Sequence, residues 1–169
     1  VIWFQGCKHN CPKCHNPSTH SFDLKLEMSV DEIINFYLKQ ELQNGITLSG
    51  GDPFYQSSEE LLDLLQKLKK YNINIWCYTG FTFEKLLEMS ETKPALKEFM
   101  NNIDVLVDGK FEIEKRSLNL KFKGSRNQRI LDMTESMKQQ KPVVIEKYNT
   151  EKIFIAYDAM QKEKRYMFI

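Results

Sequence analysis

Residues 1–15 read Val1-Ile2-Trp3-Phe4-Gln5-Gly6-Cys7-Lys8-His9-Asn10-Cys11-Pro12-Lys13-Cys14-His15. An apolar, aromatic run stops at a glycine, as a buried strand does, and feeds directly into a loop that carries three cysteines. The spacing is C-x3-C-x2-C, and the fourth cysteine, Cys77, stands far away. A secreted disulfide framework spreads its cysteines along the chain, whereas a tight cluster in a reducing compartment points to metal. Three thiolates hold three corners of a cubane iron–sulfur cluster and leave one iron open. A structural zinc ion would take the same three with His9 or His15 as the fourth ligand, and at this point both readings stand.

The pattern of strand followed by unusual loop recurs. Ser29 and Glu32 have the capping-box form and open an amphipathic stretch through Ile33, Ile34, Tyr37, Leu38 and Leu42. Ile46-Thr47-Leu48-Ser49 is a short strand running into Gly50-Gly51-Asp52-Pro53. A second capping box, Ser57 to Glu60, starts a helix through Leu61, Leu62, Leu65 and Leu68. Residues 73–78 read as a strand stopped at Thr79-Gly80, helices follow near 82–90 and 95–101, and residues 104–107 form the next strand before Asp108-Gly109. The order strand, helix, strand, helix, strand, helix, strand implies an α/β fold. Its strands are mainly parallel and its helices lie outside, in an open sheet or a partial (β/α) barrel. Each special loop follows the carboxyl end of a strand, the edge at which parallel α/β folds gather their ligands.

Composition narrows the function classes. The 169 residues suit one domain, expected to span 1–169, with a segment missing before Val1 because the chain opens inside an apolar stretch. Basic and acidic side chains number 24 and 23, so no basic excess marks a nucleic-acid partner. No apolar run reaches the ~18 residues of a membrane span, and no signal peptide opens the chain, so a cytoplasmic protein is expected. Cys77, Trp3, Trp76 and the leucine-rich helix faces read as core; His9 reads as a solvated loop residue.

The cysteine loop, with Gly50-Gly51-Asp52-Pro53 after the second strand, resembles the radical S-adenosylmethionine superfamily. Further stretches are similar to the activating proteins of anaerobic (class III) ribonucleotide reductases: Tyr78-Thr79-Gly80, Asp104 to Gly109, and Gly124-Ser125-Arg126-Asn127-Gln128-Arg129. The resemblance covers 1–133 and leaves 134–169 as a poorly matched extension. It departs at Lys13, where an aromatic residue is common, and at Lys110, where proline is frequent.

The resemblance implies a [4Fe-4S] cluster on Cys7, Cys11 and Cys14 whose open iron binds S-adenosyl-L-methionine. It implies Lys13, Cys14 and His15 as a wall beside the adenine. Gly50 and Gly51 would bring backbone polar groups close to the cofactor ammonium, with Asp52 adding charge or simply turning the chain before Pro53. Thr79 and Asp108 would meet ribose, carboxylate or a cation; Lys110, Arg126 and Arg129 would face the cofactor carboxylate, the reductase or solvent. The implied activity is transfer of a radical to a glycine of the anaerobic ribonucleotide reductase large subunit. A low-potential donor such as flavodoxin would supply the electron, and the aromatic tail 148–169 is a candidate docking element. A homodimer stays open. The rivals are an activase of another glycyl-radical enzyme, such as pyruvate formate-lyase, and a small zinc-binding interaction module.

Overall fold

The computed structural model describes residues 1–23, 27–40, 44–56 and 58–150. Five strands form one sheet in the order of the chain: β1 (Ile2–Phe4), β2 (Gly45–Gly50), β3 (Asn74–Tyr78), β4 (Val105–Asp108) and β5 (Arg129–Asp132). The first four are parallel, β5 runs antiparallel to β4, and the sheet is not closed. Between them run α1 (Val30–Leu38), α2 (Ser58–Lys69), α3 (Phe83–Ser90) and α4 (Pro94–Asn101), and α5 (Met133–Gln139) and α6 (Glu146–Asn149) follow β5. The α/β architecture and its mainly parallel sheet are as expected from the alternation of elements.

Strand register explains the core. Ile2, Leu48, Cys77, Leu106 and Leu131 pair in one row across all five strands, and the last four of them are fully buried. Because side chains alternate faces along a strand, this row points to one side, where α1, α2, α3, α4 and α5 cover it. Cys77 is thus the small buried hydrophobe its apolar strand implied, and burial raises its thiol well above the ordinary range.

The same alternation corrects the reading of Trp3 as core. Trp3 pairs with Ser49 on the opposite face of the edge strand and is 57% exposed. Trp76 is only half-buried, in a second, smaller cluster on that face with Val105, Val107 and Ile130. There its ring meets Phe122 and Tyr148, each at 5.4 Å between centroids. The extension after residue 133 therefore begins by packing on the sheet: Ile145 and Tyr148 join this cluster.

Local signals act as expected in α1. Ser29 accepts the Glu32 amide at 3.3 Å while Glu32 accepts the Ser29 amide at 2.7 Å, and α1 buries Ile34. Leu38 is exposed, and Leu42 lies outside the described residues. The second capping box rests on Ser57, also outside the described residues, as does 151–169 of the aromatic tail. Among the described residues no helix is long and apolar enough to cross a membrane.

Candidate functional site

The carboxyl ends of the four parallel strands converge on one rim. The cysteine loop leaves β1 there and is pinned at its base by the Gly6 amide to Thr19 carbonyl (2.8 Å) and the Cys7 amide to His20 carbonyl (3.1 Å). A turn closes Cys11 to Cys14 at 3.1 Å. Asn10 and Lys13 adopt left-handed backbone, φ 48° and 58°, which lets a short loop double back. All four cysteines are free, and the three in the loop are half-buried.

Each loop thiol has a backbone amide near it. Burial pushes Cys7 up, the His9 amide pulls it down, and negative charge on Asp52, Cys11 and Cys14 adds to the rise. Burial likewise raises Cys11, against the lowering effects of the Phe111 amide and the Lys110 ammonium. Cys14 Sγ accepts the Asn16 amide at 3.4 Å. Three thiolates this close repel one another, and a bound cationic centre would relieve that repulsion.

The donor set suits an iron–sulfur cluster by its chemistry: three free thiols on one short loop, each with a backbone amide near its sulfur. Just past Cys14, the Asn16 Nδ2 and His20 Nε2 atoms are buried with no hydrogen-bond partner. Among the described residues no three His, Cys, Asp or Glu groups close around a single ion.

The diglycine lies beneath the cysteine loop. The Gly51 amide donates to the Phe4 carbonyl at 2.7 Å and the Asp52 amide to the Gly6 carbonyl at 3.0 Å. Gly50 has φ +98°, and a Cβ there would lie 2.6 Å from the Phe4 nitrogen; one on Gly51 would lie 2.9 Å from the Gly6 carbonyl carbon. The close approach that these glycines permit is therefore already made by this chain's own β1 and the start of its cysteine loop.

Asp52 is 2% exposed and fully engaged. Its Oδ1 accepts the Phe54 amide at 3.0 Å and Oδ2 the Gly80 amide at 2.8 Å. The Thr79 hydroxyl reaches both oxygens, at 3.1 and 2.8 Å. His9 Nε2 lies 2.7 Å from Oδ2. A carboxylate offers about four lone-pair positions, and these donors use them. The network assigns the shared proton to His9 Nε2, since Oδ2 is already an acceptor. The His9 side chain is only 5% exposed, so its reading as a solvated residue is corrected. Sequence alone gave no sign of this: the partner lies 43 positions on, and only the folded rim joins them.

Asp108, at the end of β4, is 1% exposed. It accepts Arg129 Nε at 3.0 Å through Oδ1, and Arg129 Nη2 and the Phe83 amide (2.8 Å) through Oδ2. Arg129 also grips Glu84 at 3.0 and 2.8 Å. Its guanidinium thus faces two carboxylates of this chain. The neighbouring motif residues shape the loop before β5: Gln128 Oε1 accepts the Gly124 amide (2.8 Å), and Asn127 Nδ2 donates to the Lys110 carbonyl (2.8 Å).

Lys13 and His15 instead line a cavity of about 630 Å³ beside the cysteine loop, closed by Phe111, Arg116, Leu118 and Lys123. That volume is in the ~300–1,000 Å³ range of small-molecule sites, and its walls mix apolar with cationic side chains. Gly50, Gly51, Asp52, Thr79 and Asp108 lie outside this lining.

Residues 1–131 match the family model described as a 4Fe-4S single cluster domain. Among curated proteins, the anaerobic ribonucleoside-triphosphate reductase-activating protein of Enterobacteria phage T4 is 33% identical over 143 residues, 81% of this chain and 85% of that protein. Its namesake from Vibrio cholerae is 35% identical over 138 residues, covering 76% and 83%. The Escherichia coli K12 namesake is 34% identical over 135 residues, covering 76% and 84%.

Proposed function

This chain belongs to the family of anaerobic ribonucleoside-triphosphate reductase-activating proteins and carries their 4Fe-4S domain, and from that premise we propose that it generates a glycyl radical on the anaerobic ribonucleotide reductase. The observation that carries this reading is the gathering of three half-buried thiols at the carboxyl rim of four parallel strands, beside a ligand-sized cavity.

Cys7, Cys11 and Cys14 would hold three irons of the cluster as thiolates. Held there, the cluster would supply the one-electron reductive cleavage of S-adenosyl-L-methionine, fed by a low-potential donor such as flavodoxin, that leads to hydrogen abstraction from a glycine Cα of the reductase. The chain's own groups bind, orient and exclude water. Lys13 and His15 wall the cavity in which the adenosyl part would lie, and the Phe111 and Asn16 amides would donate to sulfur. Gly50 and Gly51 set the height of the rim by letting β1 approach. Asp52 and Thr79 serve through each other, and Asp108 through Arg129, more readily than by touching a cofactor.

The open sheet is read as a wedge of a (β/α) barrel, whose missing staves would leave the radical within reach of a protein substrate. We read 1–169 as one domain working in a reducing compartment, the cytoplasm, where free thiols persist.

The deciding experiment reconstitutes the chain anaerobically with iron and sulfide, counts metal, and measures 5′-deoxyadenosine with reductase or pyruvate formate-lyase present. About four irons per chain are expected, with a glycyl radical appearing on the reductase alone. Serine at Cys7, Cys11 or Cys14 should abolish cofactor cleavage. A chain that keeps zinc in place of iron, or a serine variant with normal turnover, would overturn the reading; a radical on the lyase would reassign the partner.

A further inference from the structure

We propose that His9 is a positioning residue, which locks the crown of the cysteine loop onto the loops after β2 and β3 through a buried junction with Asp52 and Gly80. Its bearing on catalysis rests on the function proposed above; the junction itself does not.

His9 is the middle residue between Cys7 and Cys11. Lys8 and Asn10 on either side face solvent, while the imidazole turns inward. Its Nε2 reaches Asp52 Oδ2 at 2.7 Å, after β2. Its ring packs edge-on to Phe81 at 4.6 Å and tilted to Tyr55 at 5.2 Å. Tyr55 and Phe81 in turn meet each other at 5.2 Å, so the three rings form a closed triangle. Gly80 completes the seat: a Cβ there would lie 2.7 Å from His9 Cγ and Nε2. The glycine of the Tyr-Thr-Gly motif is therefore a requirement of the imidazole, and one ring ties the cysteine loop to the two loops after β2 and β3.

The sheet ties the strands but does not by itself tie the loops beyond them. The base of the cysteine loop is pinned at Gly6 and Cys7. The crown, with its two left-handed residues, gains its deepest anchorage from the His9 side chain. Asp52, saturated by Phe54, Thr79, Gly80 and His9, is the fixed point to which that side chain is bound. An anchor of this kind arranges the thiols before any iron or cofactor arrives, which is how supporting shells act on metal sites.

The test compares wild type with His9→Ala, His9→Gln and Gly80→Ala. Gln keeps an amide donor near the position of imidazole Nε2, and Gly80→Ala disturbs the seat while leaving every thiol and carboxylate in place. In the cluster-free chain, anaerobic alkylation by iodoacetamide is followed separately at Cys7, Cys11 and Cys77 by peptide mass spectrometry. In the reconstituted protein, iron content, the EPR signal of the reduced cluster with and without S-adenosyl-L-methionine, and KM and kcat for its cleavage are measured.

His9→Ala and Gly80→Ala should each speed alkylation at Cys7 and Cys11 about ten-fold or more, with Cys77 still protected. In the reconstituted protein KM should rise about 10–100-fold with a smaller change in kcat. His9→Gln should recover most of both. Wild-type alkylation rates and KM in His9→Ala would overturn the proposal. So would equal acceleration at Cys77, since that means general unfolding and not release of one loop. A wild-type chain that binds no iron or leaves the cofactor intact would remove the proposed function, and the alkylation rates would still decide the junction.

Discussion

Arg129 shows how a motif residue gains its meaning from its neighbours. Held between Asp108 and Glu84, its guanidinium is stabilised in the charged form, and it holds the Glu84 carboxyl down at about 2 from an ordinary 4.5. A carboxylate whose folded pKa is depressed adds stability above its unfolded value and loses it as pH falls through the folded one. The tie between α3 and β5 should therefore be complete above about pH 4.5 and fade toward pH 2. The pair is partly exposed, so solvent and salt reduce its worth. Thermal unfolding of wild type and Glu84→Gln across pH 2–6 should converge at the acid end, and parallel curves throughout would disprove the assignment. At this scale the cysteines were readable because their spacing is local. The turn that Asp52 makes before Pro53 was readable for the same reason. Its bonds to His9 and Thr79, and the roles of His9 and Arg129, were not, because each is defined by a partner that only the fold supplies.

Helix α1 announces itself through reciprocal capping by Ser29 and Glu32, an interaction contained within four residues. Ser29→Ala should cost about 1 kcal/mol in urea unfolding, with iron uptake unchanged because, among the described residues, the Ser29 side chain bonds only within its own capping box. Boundaries of α2, α3, α4 and the parallel strands follow the sequence closely for the same reason: caps, prolines and apolar periodicity act over one or two turns. Strand β5 escaped notice. It is four residues long, Arg129-Ile130-Leu131-Asp132, and reaches β4 only after a long loop tied by Ser125, Asn127 and Gln128. Its antiparallel pairing comes from that return path, which no local pattern encodes. The short β1 raised the opposite difficulty: its aromatic run looked uniformly buried, yet alternation turns Trp3 outward.

Across the molecule, the row from Ile2 through Leu48, Cys77 and Leu106 to Leu131 ties the sheet to its helices. Leu106→Ala should destabilise the chain by about 2–5 kcal/mol through the cavity left behind. Trp3→Ala on the open face should change stability by no more than about 0.5 kcal/mol. Equal losses at both positions in denaturant unfolding would show that Trp3 too is packed, against its exposure at the edge of the sheet. The sequence by itself determined the alternating α/β order, the three-cysteine loop and the common rim at the strand ends, because strand and turn signals are short-ranged and parallel connections bring strand ends together. Only the tertiary structure decided which side chains meet at that rim. It turned the diglycine toward β1, saturated Asp52 with His9 and Thr79, bound Asp108 to Arg129 and left Lys13 and His15 facing the cavity. Those pairings join residues tens of positions apart, and their geometry exists only once the strands are in register.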